Sequence, residues 1–368
     1  MFDPKRTLRV LARPAFSNRN ENPYNHLLYN GLARLGVDVH EFGVQNCLLG
    51  RYDICHVHWP ESTFNASLLE GFATTEALLR ALDWLGKRGT KVVWTAHNLR
   101  AHERRFPRAE QAFWQKFTRR VDGFIALSES SLSATRAAFP QLEFKPGFVV
   151  PHPHYRSEYP DGVTRSQARV LLGLDPNARV VLFFGRILAY KNVPELIEGV
   201  RSIPDSAGKK TLLLVAGRPY DARSHQAVRT AAARDPRIVL HLRFVPRQEA
   251  QNYFRAADLV ALPYRDIMNS GAAVLGLGFD RPVLMPRRGA GAELERAVGG
   301  GWLHLYETLS PHAIESALTR ASMLPPVTDG RHLQCLEPSA VAMRTLAAYE
   351  SLLGTARSLG VTHSEAAQ

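Results

Sequence analysis

Two sets of residues in this 368-residue chain have the types and spacing to do chemistry. The first is His58-Trp59-Pro60-Glu61 together with His97-Asn98. Each group follows directly on an apolar run, Ile54-Cys-His-Val and Lys91-Val-Val-Trp-Thr-Ala. Imidazole beside carboxylate is the equipment of proton transfer. A histidine titrates near neutrality unaided, and burial can raise a carboxylate toward the same range. Glu61 is the leading candidate for a general base. His97 is the runner-up and His58 the third candidate, while His56, one turn of the pleat earlier, reads as packing. Trp59 offers a flat face on which a sugar ring can stack. The second set is Gly185-Arg186 with Lys191, and Arg265 with Asn269-Ser270-Gly271-Ala272. Fixed cations next to the free N–H groups of a helix N-terminus favour an anion such as a diphosphate. Asn269 or Ser270 can cap that helix, and Gly271 and Ala272 leave room at its first turn.

For these groups to meet, strand ends must deliver them to one edge of a sheet. Leu8–Ala12, Gly36–Phe42, Asp53–His58, Lys91–His97, Asp122–Leu127 and Phe148–Val150 read as strands with helices between them. The alternation resumes near 180–184, 211–216, 238–242, 258–262, 282–284 and 301–303. Short apolar runs alternating with helical segments predict an α/β fold with parallel sheets, and such sheets bind ligands at the carboxyl ends of their strands. The loop carrying Asn22 overhangs the first crevice, and Pro23 opens the helix after it. Gly217-Arg218 and Phe244-Val245-Pro246 end two further strands. A helix spans about 66–87. The domains expected are 1–150, 151–337 and a helix at 338–356 that packs back across both, with a disordered tail at 357–368. Pro151-His-Pro-His154 is the linker between the first two.

The net charge of +12 is concentrated. Residues 100–120 hold Arg100, Arg104, Arg105, Arg108, Lys116, Arg119 and Arg120 against Glu103 and Glu110. Phe106, Phe113, Trp114 and Phe117 are interleaved with them. A basic helix with aromatics predicts a peripheral contact with anionic lipid at the inner face of the plasma membrane; the bland alternative is an amphipathic helix that buries Phe113 and Phe117. No nucleic-acid-binding signature accompanies the charge, so no nucleic-acid partner is expected. No apolar run reaches the roughly 18 residues of a spanning helix and no signal-peptide core opens the chain, so the expected location is cytoplasmic. Cys47, Cys55 and Cys335 lack metal-ligand spacing, and no phosphate-binding P-loop is present. No metal and no cofactor are expected.

Gly185-Arg186…Lys191 resembles the donor-phosphate motif of the GT-B nucleotide-sugar glycosyltransferases of the family-4-like group. Asn22-Pro23-Tyr24, Arg51-Tyr52-Asp53, His56-Val-His58-Trp59-Pro60-Glu61, Thr95-Ala-His97-Asn98…His102-Glu103, Pro263-Tyr264-Arg265…Asn269-Ser270-Gly271 and Gly301-Trp302 occur in the order found in GumI-like β-mannosyltransferases of bacterial exopolysaccharide assembly. The similarity covers roughly residues 7 to 305. It implies two Rossmann-like domains facing across a cleft. The first would take a lipid-linked or other glycan acceptor, near Asn22, Trp59, Asn98 and Glu103. The second would take the nucleotide sugar at Gly185, Arg186, Lys191, Gly217, Arg218, Val245, Tyr264, Arg265 and Asn269–Ala272, with Val245 near the base. GDP-mannose is implied by the resemblance alone, as is contact of His97 with the donor sugar.

One departure matters. Retaining family-4 enzymes carry two glutamates eight positions apart, whereas Met268-Asn-Ser-Gly and Val274-Leu-Gly contain none. That favours an inverting transferase. The alternatives are a retaining GT-B transferase using a UDP-sugar, a nucleotide-sugar epimerase, or a non-catalytic sugar-nucleotide-binding protein. The last would have no use for Glu61 flanked by histidines.

Overall fold

The computed structural model describes residues 7–65, 68–101, 106–204, 210–233, 235–325 and 330–354. His102, Glu103, Arg104, Arg105 and the expected tail at 357–368 lie outside them.

Among the described residues, twelve strands form two six-stranded sheets, each parallel throughout. The first holds β1 (Arg9–Arg13), β2 (Asp38–Glu41), β3 (Ile54–His58), β4 (Lys91–Thr95), β5 (Gly123–Ala126) and β6 (Gly147–Val149), in the order β2-β1-β3-β4-β5-β6. The second holds β7 (Arg179–Phe184), β8 (Thr211–Ala216), β9 (Ile238–His241), β10 (Leu259–Ala261), β11 (Val283–Pro286) and β12 (Leu303–Tyr306), in the order β12-β11-β10-β7-β8-β9. Every residue of β3 and β8 is buried. That is the condition of a parallel strand covered by helices on both faces, and it is why these segments read as near-continuous apolar runs. Strand order reverses between β1 and β3 and again between β7 and β10. The carboxyl ends flanking a reversal border an open crevice, because the following connections leave in opposite directions.

The basic helix Pro107–Arg120 turns its aromatics inward. Phe113, Trp114 and Phe117 are buried against Trp94 of β4, whose ring centroid lies 5.1 Å from that of Trp114. The aromatics are core, and the outer face carries Arg108, Gln111, Gln115, Lys116 and Arg119 with no aromatic among them. Lys116 pairs with Glu76 at 2.7 Å and Arg120 with Asp83 at 2.7 Å. Arg108 and Arg119 are exposed. On the neighbouring helix Leu68–Lys87, Leu69 and Phe72 are 82% and 62% exposed.

Other boundaries shift for local reasons. The last strand begins at Leu303 rather than Gly301, because Gly301 takes φ +90° and Trp302 turns to stack on His332 at 3.9 Å. A six-residue helix, Val44–Leu49, went unread in the sequence; it buries only Cys47 and so shows no apolar face.

Chain from the carboxyl end ties the halves together. The helix Pro338–Leu353 crosses the first domain's helix Tyr24–Arg34 so closely that a Cβ on Gly31 would stand 2.7 Å from that of Ala342. Across the cleft, the Glu293 carboxylate accepts the backbone N–H groups of Glu129 and Ser130, both at 2.8 Å. It thereby joins Ser128, whose hydroxyl accepts from Ser131 N, in capping the helix Glu129–Ala138.

Candidate active site

The first crevice is built on β1, β3 and β4. After His58 the chain takes φ +43° at Trp59 and meets Pro60, which ends the strand and starts a short turn holding Glu61. Trp59 lies over His97 with centroids 4.0 Å apart and planes 17° apart, so one indole face is already occupied by imidazole. Its remaining surface borders a cavity of about 510 Å³ shared with Arg13, Asn18, Asn22, Glu41 and His58. Asn22 is tied down. Its Oδ1 accepts from Tyr24 N at 3.0 Å and from the Tyr155 hydroxyl at 3.1 Å.

Glu61 is 5% exposed and sits one residue beneath the surface. Asn98 Nδ2 donates to its Oε1 at 2.9 Å, and Asn98 in turn lines a cavity of about 470 Å³ with Tyr190, Tyr264, Asp266 and Asn269 of the second domain. Burial pushes the Glu61 carboxyl up to about 7, a rise that the Asn98 bond and the nearby Arg13 only partly oppose. The histidines go the other way. Burial holds His56 at about 3 and His152 at about 4, and keeps His58 and His97 well below the usual imidazole range, so all four rings are neutral. His58 Nδ1 meets His97 Nε2 at 3.0 Å, and His58 Nε2 meets the Tyr29 hydroxyl at 2.6 Å.

The second crevice lies between β7 and β10. Gly185 takes φ +120° and Gly217 φ +157°, and a Cβ on Gly217 would fall 1.9 Å from the Gly185 carbonyl oxygen. Two strand-end backbones touch here, so only glycine fits. The opening left above Gly185 is crossed by Lys191, whose ammonium lies 5.3 Å from the Tyr264 ring centre and has no carboxylate partner among the described residues. Burial first and Arg186 second push its amine down to about 8. Arg186 lies with its guanidinium 4.4 Å over Tyr220. The Tyr264 hydroxyl is sealed without a partner, and burial raises its pKa. Ser270 takes the N-cap place of Gly271–Gly278, its hydroxyl accepting from Ala273 N at 3.1 Å. Asn269 instead reaches across the cleft, where its Oδ1 accepts from the Ser131 hydroxyl at 2.8 Å.

The residues expected at the site therefore divide. Asn98, Tyr264 and Asn269 line one cleft, with Glu61 hydrogen-bonded beneath Asn98, Lys191 lying between Gly185 and the Tyr264 ring, and His58, His97 and Trp59 packed together on the first domain. Gly271 is already covered: a Cβ there would stand 3.2 Å from the Tyr155 hydroxyl and 3.3 Å from His152 Nε2. Ala272 is half-buried beside it. Arg265 stays at the rim, with a side chain 69% exposed and 3.8 Å from Glu195. Arg218 is exposed and Val245 half-buried, at the ends of β8 and β9. Glu103 is not among the described residues. Sequence reasoning missed His152, Tyr155, Tyr29 and Tyr190. His152 carried a signal, since a histidine between two prolines at a domain junction has few other uses. The tyrosines carried none beyond an apolar helix face. Among the described residues no three His, Cys, Asp or Glu side chains are grouped to hold a metal ion.

Comparison with known proteins bears on the family and the fold. A family profile described as glycosyl transferases group 1 matches residues 165–275. A GDP-mannose:glycolipid 4-beta-D-mannosyltransferase of Xanthomonas campestris pv. campestris is 32% identical over 303 residues, which is 82% of this chain and 80% of that one. A D-inositol 3-phosphate glycosyltransferase of Mycolicibacterium gilvum is 30% identical over 174 residues, covering 45% of this chain and 37% of its own. Among solved structures, Anabaena Alr3699/HepE in complex with UDP and glucose superposes with a TM-score of 0.62 at 16% identity, covering 94% of this chain and 100% of that one. Sucrose-phosphate synthase of Thermosynechococcus elongatus gives 0.62 at 14% identity, over 94% and 96%. These two establish the GT-B fold.

Proposed function

The chain belongs to the group 1 glycosyltransferases, and from that membership we propose that it transfers mannose from GDP-mannose to a lipid-linked glycan with inversion at the anomeric carbon. The observation that carries the reading is Lys191. A half-buried ammonium with no carboxylate beside it among the described residues is costly, and the cost is relieved by an anion entering the β7/β10 crevice. A donor diphosphate has the charge and size for that place. The sugar and the acceptor class rest on the Xanthomonas relative, which is named for GDP-mannose and a glycolipid.

In the proposed reaction an acceptor hydroxyl oxygen attacks the anomeric carbon from the face opposite the diphosphate. The new carbon–oxygen bond forms as the bond to the diphosphate breaks. The hydroxyl proton passes to Glu61, whose carboxyl at about 7 is half-ionised at neutral pH and strong enough as a base. Lys191 and Arg186 take up the charge that develops on the leaving diphosphate. The chain contains no Asp-x-Asp sequence, and the proposal assigns the leaving-group charge to these cations without a metal ion. The missing pair of glutamates around Met268 and Gly276 supports inversion.

We place the acceptor's lipid at the face bearing Leu69, Phe72, Arg108 and Arg119, as a peripheral contact. No helix among the described residues is long and apolar enough to cross a membrane. A transfer assay with labelled GDP-mannose, UDP-glucose and other sugar nucleotides on lipid-linked acceptors, with product anomeric configuration read by proton NMR, tests the reading. Transfer from a UDP-sugar alone, or a retained configuration, overturns it.

A further inference from the structure

The amino-terminal edge of the second sheet, opposite the edge that carries Gly185, holds a cavity of about 510 Å³. Arg179 opens β7, Asp258 precedes β10, and Arg281 and Trp302 stand just before β11 and β12. At about 3.3 Å per strand residue, Arg179 lies about 20 Å from Gly185 at the other end of β7. One wall of the cavity is Arg165, Arg179, Arg255 and Arg281 with Asp258 and Asp280. The other is carbon, from Pro282, Trp302, Leu318 and Leu324.

Four cations thus face two carboxylates, and both carboxylates are already engaged. Asp258 binds Arg165 at 2.9 Å through one oxygen. Through the other it binds Arg169 at 2.8 Å and accepts from Val180 N at 2.7 Å. Asp280 binds Arg156 at 2.5 Å and stands 3.8 Å from Arg255, which has its own partner in Asp161. Arg179 has only Glu315, at 3.9 Å, and Arg281 has no carboxylate at ion-pair distance among the described residues. With the outer partners included, six arginines (156, 165, 169, 179, 255 and 281) meet four carboxylates (161, 258, 280 and 315), so two positive charges remain in excess.

The two arginines least well matched also keep donors in hand. Arg281 gives Nε to the Phe279 carbonyl at 3.2 Å and Nη1 to that of Ala257 at 3.1 Å, which fixes the plane of the guanidinium and leaves Nη2 unbonded. Arg179 gives Nη2 to the Thr211 hydroxyl at 2.7 Å, while its Nε is sealed without a partner and its Nη1 is unbonded. Neither Arg281 Nη2 nor Arg179 Nη1 is sealed, so both are reachable from the cavity that their side chains line. Burial first and Arg255 second lower the Arg281 pKa, the mark of a cation short of an anion. The planar fork of arginine matches the oxygens of a phosphate.

We propose that this cavity is a second ligand site, which takes the phosphate of a small phosphate monoester on Arg179 and Arg281 and its carbon body against Trp302, Leu318 and Leu324. A monoester is close to a dianion above pH 7, so it cancels the two charges in excess. The volume is that of an ordinary small-molecule site. Because Asp258 and Asp280 are ion-paired, the site binds its ligand and has no unpaired acid or base with which to convert it. The site stands apart from both crevices and does not rest on the transferase reading.

The test is calorimetry of the full-length protein at pH 7.5 and fixed ionic strength, with mannose 6-phosphate and inorganic phosphate as probes. Mannose 6-phosphate binds, and binds more tightly than inorganic phosphate because its carbon body adds contact with the apolar wall. Arg281→Met weakens it roughly tenfold to hundredfold, the loss of a charge-assisted contact. Arg281 also holds two backbone carbonyls, so Ser322→Glu is the second variant: Ser322 is exposed on the cavity rim, and a carboxylate there competes for the arginines without touching the core. It too weakens binding. Lys191→Met, at the far end of the sheet, leaves binding unchanged. No binding of mannose 6-phosphate at millimolar concentration overturns the proposal, as does binding that survives both Arg281→Met and Ser322→Glu. Binding lost in Lys191→Met overturns it as well, since the ligand then sits in the β7/β10 crevice. Inorganic phosphate bound as tightly as mannose 6-phosphate overturns the part given to the apolar wall.

Discussion

Replacing Glu61 with glutamine removes a carboxyl whose ionisation the fold opposes. The ordinary value of 4.5 rises to about 7 in the folded chain because burial outweighs the Asn98 hydrogen bond. The folded protein therefore holds a proton that the unfolded chain has already lost between those two values. Below 4.5 both states are protonated and the site costs nothing; the cost accumulates as pH rises and is complete above about 7. Between about pH 5 and pH 8 the native protein should lose roughly 2.5 kcal/mol relative to Glu61→Gln, whose amide does not titrate. Denaturant unfolding of both proteins at the two pH values measures this directly. The variant should be nearly as stable as the native protein at the lower pH and more stable at the higher one. The same group governs turnover: native kcat should rise through about pH 7 as Glu61 ionises, and Glu61→Gln should lose about 10²–10⁴-fold while still binding donor. A stability difference that does not change with pH refutes the assignment of the raised carboxyl. Near-native turnover in Glu61→Gln refutes its role as base.

Lys191→Met should weaken GDP-mannose binding by roughly 10–100-fold in calorimetry, the loss of a charge-assisted contact, and should raise the melting temperature of the ligand-free protein because a half-buried ammonium without a carboxylate partner among the described residues is gone; an unchanged Kd refutes the cradle. Glu293→Ala leaves two N–H groups of the Glu129–Ala138 helix uncapped and cuts a tie across the cleft, costing about 1 kcal/mol of stability and widening the particle in small-angle scattering. Anionic vesicles should retain the protein at low salt and release it at high salt, and Leu69→Ser with Phe72→Ser should weaken retention; an absence of binding at any salt ends the membrane reading. Since Phe113 and Phe117 are core, Phe117→Ala should instead cost about 3–5 kcal/mol of stability in denaturant unfolding.

The chain's own order of residues determined the twelve-strand alternation, the glycines at strand ends and the cation that follows Gly185. Those signals are local: a buried parallel strand needs a run of apolar residues, and a crevice at its end needs a glycine, a cap and a charge within a few positions of one another. Tertiary structure decided which faces and partners these pieces found. The aromatics of Pro107–Arg120 could face lipid or core by periodicity alone, and only the position of Trp94 made them core. Gly271 was ready to admit an anion until the connecting segment laid His152 and Tyr155 against it. Glu61 reads as a crevice residue at a strand end whose pKa burial could raise; the turn after Pro60 folds it beneath Asn98, and that burial supplies its altered proton affinity. The buried histidines behind the crevice find their partners the same way: His58 meets the Tyr29 hydroxyl and His56 the Tyr349 hydroxyl, the second from the far end of the chain. Such contacts join residues with no relation in sequence spacing, because what places them together is the packing of whole helices and sheets rather than any local preference of the backbone.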